Sequence, residues 1–198
     1  MTLDECLRKA SRKRVEGHSQ QCPELTQTLT DLVSGESIQH VMEIGFNAGH
    51  SAETFLASNP RIDLTSFDLG KHAYALTGKK YIDYKFPFRH RLFLGDSSKT
   101  VPEFIEANPE TKFDLIFIDG GHDYKIARAD LYNSMKLAHS ETVVIMDDTM
   151  GKKSWIQRYN VGPNRTWKEA KDDSLITELG SQDFSQDYGA SWGKFSLA

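Results

Sequence analysis

Cysteine is scarce in this chain of 198 residues: Cys6 and Cys22 are the two present, both near the N-terminus and without the spacing of metal ligands. They are expected to be reduced and are assigned no chemistry. An excess of positive charge is also missing, since Lys and Arg number 24 against 28 Asp and Glu, for a formal net charge of −4. Nucleic-acid binders usually carry a basic face, so no nucleic acid is expected as a partner. No apolar run approaches the roughly 20 residues needed to span a bilayer, and charge occupies the N-terminus where a signal peptide has its apolar segment. The expectation is a soluble, cytoplasmic protein with no membrane partner. Internal repeats and low-complexity tracts are lacking as well.

What is present is enough for one sizeable core: hydrophobic residues make up 38% of a chain too short for two ordinary domains. Apolar runs at 39–44, 62–67, 89–94, 113–118 and 142–146 read as strands with helices between them. That alternation predicts an α/β fold, a parallel sheet covered by helices on both faces. Pro23 opens a helix at 23–33, with Leu25, Leu29, Leu32 and Val33 at helical spacing. The crossover at 123–138 repeats Ile126, Ala127, Leu131, Met135 and Ala138 on one face. Residues 1–22 read as an N-terminal cap or lid segment in front of a domain at 23–198, with Leu3, Leu7, Ala10 and Val15 as the apolar edge of a short helix broken at Gly17-His18-Ser19. After a loop at 149–166 and a helix at 167–179, strands at 184–188 and 191–197 are joined by Gly189-Ala190. A parallel crossover needs a dozen or more residues, so these two are antiparallel.

The run from Val41 through Glu43, Gly45, Phe46, Asn47 and Gly49 to Ser51 reads as a buried strand that breaks into a glycine turn and opens a helix. Glycines there allow positive φ and close approach of a ligand, and the free amides of the helix start face an anionic group. Asp68 ends the next apolar run, about 20 residues on, where an acid holds ribose hydroxyls. Phe46-Asn47 stand where a dinucleotide fingerprint has its middle glycine, so a pyrophosphate fits poorly. Glu43 would repel one too, and suits a ligand with ammonium and sulfonium charge and one small carboxylate. S-adenosylmethionine is that ligand. Here the sequence resembles the class I S-adenosylmethionine-dependent methyltransferases: Glu43, Gly45, Gly49 and Ser51 look like their first motif and Asp68 like their second. The resemblance covers about residues 38–198 and implies a Rossmann-like seven-stranded sheet, its last strand inserted beside strand five to give a C-terminal antiparallel hairpin. In similar enzymes the residues after strand three reach the adenine, which makes Asp96 and Ser97 the candidates; Ser97 or Ser98 also suits a helix N-cap.

Chemistry is expected at two further strand ends. Asp119 and His122 follow strand four, and Asp147 and Asp148 follow strand five. Strand ends of an open α/β sheet line the ligand crevice. Converging carboxylates repel one another unless a cation sits between them, and Mg²⁺ or another hard divalent ion resolves this. Adjacent strand residues point to opposite faces, so the metal reading requires the chain to turn at Asp147-Asp148. These acids resemble those of metal-dependent small-molecule O-methyltransferases, the catechol, caffeoyl-CoA and macrolide-sugar branch. Asp119 matches their acid after strand four, and Asp147 and Asp148 match the pair after strand five. His139-Ser140-Glu141 replaces a Gly-Gly common in that branch and reads as a turn variant.

The resemblance implies transfer of the sulfonium methyl to a hydroxyl of a small molecule or glycan. His122, an imidazole of ordinary pKa about 6.5, serves as general base. A vicinal diol chelates one ion, and the histidine favours a sugar; a catechol or phenol is the alternative, with an aromatic slot from Trp155, Tyr159, Trp167 or Trp192. A non-catalytic S-adenosylmethionine-binding domain is a further alternative. The acceptor is to be gripped around His18 to Gln21, by the 149–166 loop, or by the second subunit of a homodimer.

Overall fold

The computed structural model describes residues 1–10, 15, 17–150, 158–184 and 189–197. Seven strands, β1 (His40–Ile44), β2 (Asp63–Asp68), β3 (His90–Leu94), β4 (Phe113–Ile118), β5 (Ala138–Asp147), β6 (Ile176–Asp183) and β7 (Gly189–Phe195), form one sheet in the order β3-β2-β1-β4-β5-β7-β6. The first five run parallel, and β7 lies antiparallel between β5 and β6. This is the expected Rossmann-like sheet with its antiparallel C-terminal hairpin. Around it lie α1 (Leu3–Ala10), α2 (Pro23–Val33), α3 (His50–Ser58), α4 (Tyr74–Lys85), α5 (Ser97–Ala107), α6 (Tyr124–Lys136) and α7 (Arg158–Asp172), with a single turn of 3-10 helix at Ser19–Gln21.

The two-residue period of the strands splits the core in two. Val41, Leu64, Leu115, Phe117 and Ile145 face one side, under Leu25, Leu29, Phe55 and the α1 residues Leu3 and Leu7. Met42, Ile44, Phe67, Ile116, Ile118 and Met146 face the other, against Val101, Phe104, Leu131 and Trp167. Both faces of the central strands β1 and β4 are covered, which is why apolar residues alternate to both sides there. Chain order reverses where β1 meets β4, so the carboxyl ends of these strands open a crevice. No helix among the described residues is long and apolar enough to cross a membrane.

The C-terminal third departs from expectation. α7 begins at Arg158, inside the expected 149–166 loop, and Pro163 is accommodated within it. Gly162-Pro163 signals a break, but packing outweighs local propensity: Trp167 and Ala170 of the same helix are 3% and 0% exposed. The helix stops at Asp172, and Ser174 takes a φ of 58°, so Ile176, Thr177 and Glu178 form strand β6 instead of the expected helix end. Gly189 and Ala190 belong to β7, paired with Asp183 and Gln182, and do not form the turn. Residues 151–157, within the expected loop, and 185–188, within the strand expected at 184–188, lie outside the described residues. His139-Ser140-Glu141 falls inside β5, where the register against β4 jumps from Phe113–Ala138 to Leu115–Val143 and these residues form an irregularity in the strand.

Candidate active site

Beyond Ile44 the chain must leave β1 beside β4, and Gly45 does so at a φ of 103°. A Cβ on Gly45 would sit 1.9 Å from the Asp119 carbonyl oxygen. The Gly45 amide donates to the Phe67 carbonyl at 2.7 Å, and the Asp119 amide donates to the Ile44 carbonyl at 2.8 Å. Three strand ends are thereby sewn together. Asp68 then shapes the loop: its carboxylate accepts from the Asn47 amide at 2.8 Å and from the Gly70 amide at 2.7 Å. A cavity of about 650 Å³ opens above, within the range of small-molecule sites.

Of the residues expected to hold the cofactor, Gly45, Asn47, Asp68, Asp96, Ser97 and Asp119 line this cavity. Glu43, Phe46, Gly49 and Ser51 do not; they stand behind the wall and support it. Phe46 is 1% exposed and stacks on the buried His90 at 5.0 Å between ring centroids. Gly49, at a φ of 93°, is the N-cap of α3. Glu43 corrects the expectation most clearly. It shares the Val41 face of β1, beneath α3, and its two oxygens accept from Ser51 at 2.8 Å and from Ser66 at 2.7 Å. Ser66 Oγ also lies 2.8 Å from His90 Nε2.

Burial pushes the Glu43 carboxyl up to about 7, opposed by the two serine hydroxyls and reinforced by Asp68. Folded Glu43 therefore holds its proton more tightly than the unfolded chain, whose value is 4.5, and its contribution to stability is full below 4.5 and lost as pH rises to 7. Denaturant unfolding of Glu43→Gln alongside the wild type should show the wild type losing about 3 kcal/mol relative to the variant across that window. Parallel curves would contradict a strained carboxyl here.

At the opposite end of the cavity Asp96, not either serine, is the N-cap of α5, accepting from the Ser98 amide at 3.0 Å and its hydroxyl at 2.7 Å. The Ser98 hydroxyl, ahead of its amide, holds Asp96 below the usual carboxylate range.

The acids converge on the cavity floor. Asp148 takes a φ of 57° directly after β5, which supplies the turn the metal reading requires. Asp119, Asp147, Asp148 and His122 all line the cavity. His122 Nε2 lies 2.9 Å from Asp148 Oδ2, and one ligand atom each from Asp119, His122 and Asp148 falls within 4.8 Å of the others. Asp147 borders this trio without joining it. Burial, then the charges of Asp147, Asp148 and Glu43, push the Asp119 carboxyl well above its ordinary value; burial and Asp148 do the same to Asp147. Carboxyls so poorly solvated and so close suit a hard cation, with oxygen and imidazole donors in place. Asn164 of α7 fixes the turn by donating to the Asp148 carbonyl at 3.1 Å and accepting from the Met150 amide at 2.7 Å.

Leu69, Lys71, His72 and Ile126 add to the wall, and its N-terminal part comes from His18, Ser19, Gln21, Cys22 and Leu25, with Tyr159 of α7. The His18 to Gln21 stretch thus contributes to the cavity, and so does Cys22, which sequence reasoning passed over. Trp167 is buried in the core and donates to Glu178, Trp192 packs against the other face, and Trp155 lies outside the described residues. A second grouping, Asp4, His18 and His50, is a clamp and not a metal centre. His50 Nε2 meets Asp4 at 3.0 Å, while the His18 and His50 rings lie parallel at 3.5 Å, so their in-plane lone pairs do not converge on one point. Burial, aided by His50, lowers His18 to about 4 and keeps it neutral. With Asn47 donating to the Gly17 carbonyl at 2.9 Å, the clamp fastens the N-terminal segment over the cofactor loop.

A crevice at the β1/β4 reversal of a sheet ordered β3-β2-β1-β4-β5-β7-β6, with an acid at the end of β2, defines the class I S-adenosylmethionine-dependent methyltransferases. More particularly, the chain belongs to the family described as Methyltransferase domain, whose model matches residues 42–149. No curated protein sequence matches it. Among solved structures it is similar to cofactor-bound Rv0187 from MTB, with 19% identity, a TM-score of 0.75, and coverage of 99% of this chain and 88% of that one. It is also similar to an O-methyltransferase from Bacillus cereus in complex with SAH (18% identity, TM-score 0.73, 97% and 90% covered). A third is CalS11, a TDP-rhamnose 3'-O-methyltransferase of calicheamicin biosynthesis (19% identity, TM-score 0.65, 98% and 92% covered).

Proposed function

We propose that this chain is a divalent-metal-dependent O-methyltransferase whose acceptor is a small polyhydroxylated molecule, a sugar presenting vicinal hydroxyls. The convergence of Asp119, His122 and Asp148 within 4.8 Å carries this reading. Asp119 and Asp148, with Asp147 bordering them, would hold Mg²⁺, which would supply Lewis acidity that makes a neighbouring hydroxyl a better acid. Asp148, 2.9 Å from His122 Nε2, accepts from that nitrogen and orients the ring, so His122 takes the acceptor proton at Nδ1 and Asp148 stabilises the imidazolium that forms. The acceptor oxygen would then attack the sulfonium methyl carbon in line, the new C–O bond forming as the C–S bond breaks and its electron pair leaves on the sulfur of S-adenosylhomocysteine. Asp68 and the Gly45 to Gly49 loop hold the cofactor for that attack, and positioning supplies much of the rate.

A sugar is favoured over a catechol by the wall opposite the acids. Among the described residues, Tyr159 is the one member of the expected aromatic slot that lines the cavity, and Ser19, Gln21 and His18 offer hydrogen bonds to hydroxyls. CalS11, a sugar methyltransferase, has a similar fold.

The test is methyl transfer from S-adenosylmethionine to matched panels of diol sugars and catechols, with Mg²⁺ and with chelator. Turnover of sugars that chelator abolishes and Mg²⁺ restores is the expected result. Turnover of catechols alone reassigns the acceptor, and cofactor binding without turnover on either panel favours a non-catalytic domain. In the same assay His122→Gln should lower kcat about 100-fold or more with S-adenosylhomocysteine affinity unchanged. An equal loss of affinity would make His122 a cofactor-site residue instead.

A further inference from the structure

α6 presents Ala127, Asp130, Leu131 and Ser134, three and four residues apart, on one buried face. A carboxylate is out of place there, because burying a charged group without partners is costly. Asp130 is 1% exposed, and neither of its oxygens makes a hydrogen bond of ordinary geometry among the described residues. Burial pushes this carboxyl up to about 7, opposed by the nearby Ser97 hydroxyl and reinforced by the Asp96 charge. Its other close neighbour is Gly120, where a Cβ would come within 2.9 Å of Asp130 Oδ2.

Ser97 and Gly120 both line the cavity, and Asp130 stands directly behind them. Asp96, the acid expected to read the adenine, already accepts two hydrogen bonds from Ser98 to start α5. Ser97 receives no such support from Asp96. We propose that Asp130 is a positioning residue for the adenine end of the cofactor pocket, acting through the Ser97 hydroxyl. The proposal rests on the S-adenosylmethionine reading. It also accounts for an unfavourable buried acid: apolar packing at Asp130 would serve α6 better, and the carboxyl is kept for what lies in front of it.

Calorimetric titration with S-adenosylhomocysteine and with S-inosylhomocysteine, in which the purine amino group is replaced by a carbonyl oxygen, tests the idea. Wild type, Asp130→Asn, Ser97→Ala and the double variant are compared, and thermal melts establish that each is folded. Asp130→Asn and Ser97→Ala should each weaken S-adenosylhomocysteine binding about tenfold and narrow its preference over the inosyl compound. The double variant should be no worse than either single one, because the two residues act as a unit. A purely structural role would alter the melts while leaving the preference between the two ligands intact, and that result overturns the proposal. Additive losses in the double variant overturn the route through Ser97. Ser97→Ala keeps the test decisive even where the Asp130 variant fails to fold. Wild-type protein that binds neither ligand removes the cofactor reading itself, a failure distinct from unchanged discrimination.

Discussion

Asp119→Asn should lower methyl transfer about 1000-fold while raising the melting temperature of the ligand-free protein. The two effects have one origin. Asp119 is pushed well above its ordinary pKa by burial and by the charges of Asp147, Asp148 and Glu43, so holding it as a carboxylate in the fold costs stability. An amide relieves the repulsion and, under the proposed metal-dependent function, cannot replace the carboxylate as a ligand. Steady-state kinetics with saturating Mg²⁺ and a melt in chelator make the comparison. Loss of activity together with loss of stability would mean that Asp119 braces the fold, and the argument from a poised acid cluster would fail. The opposition is a local form of the trade between stability and activity seen where function requires strained groups.

Gly45→Ala should abolish detectable S-adenosylhomocysteine binding and destabilise the protein by several kcal/mol, about 3 or more. Two independent penalties coincide. The φ of 103° is one that L side chains avoid, and the added methyl would lie 1.9 Å from the Asp119 carbonyl. Relief requires β1 and β4 to separate at the point where the cofactor loop and the acids meet. Gly35→Ala is the control, since a Cβ there meets its nearest neighbour at 3.6 Å. Urea unfolding and calorimetry of both variants would show the contrast; a Gly45→Ala protein with wild-type affinity would remove the β1/β4 seam from the cofactor site.

Most of the site was legible because its parts lie at strand ends, and each strand end carries its own local signal. Gly45, Asp68, Asp119, Asp147 and Asp148 all follow apolar runs and all reach the cavity. The place of Glu43 turns on one step of strand parity, which the glycine motif does not encode. Glu43 shares a face with Val41, pairs in register with Ser66, and so points under α3 and away from the crevice. Asp130 carried a signal that went unused: a carboxylate at a core position between Ala127 and Ser134 of an amphipathic helix. The boundaries of α7 and β6 were beyond local reading, because Gly162-Pro163 speaks for a loop and only the packing of Trp167 and Ala170 overrides it. The role of Cys22 depends on where α2 docks, which no spacing encodes.

The clamp of Asp4, His18 and His50 joins two properties that are separable in larger enzymes. Gly17 holds the cofactor loop through Asn47, while Ser19, Gln21 and Cys22 a few residues on line the same cavity. Under the proposed function, selectivity and product escape are therefore governed by one short piece of chain. A variant engineered along Ser19 to Cys22 to accept a bulkier sugar should also release S-adenosylhomocysteine at a different rate, so acceptor range and turnover will move together when this segment evolves.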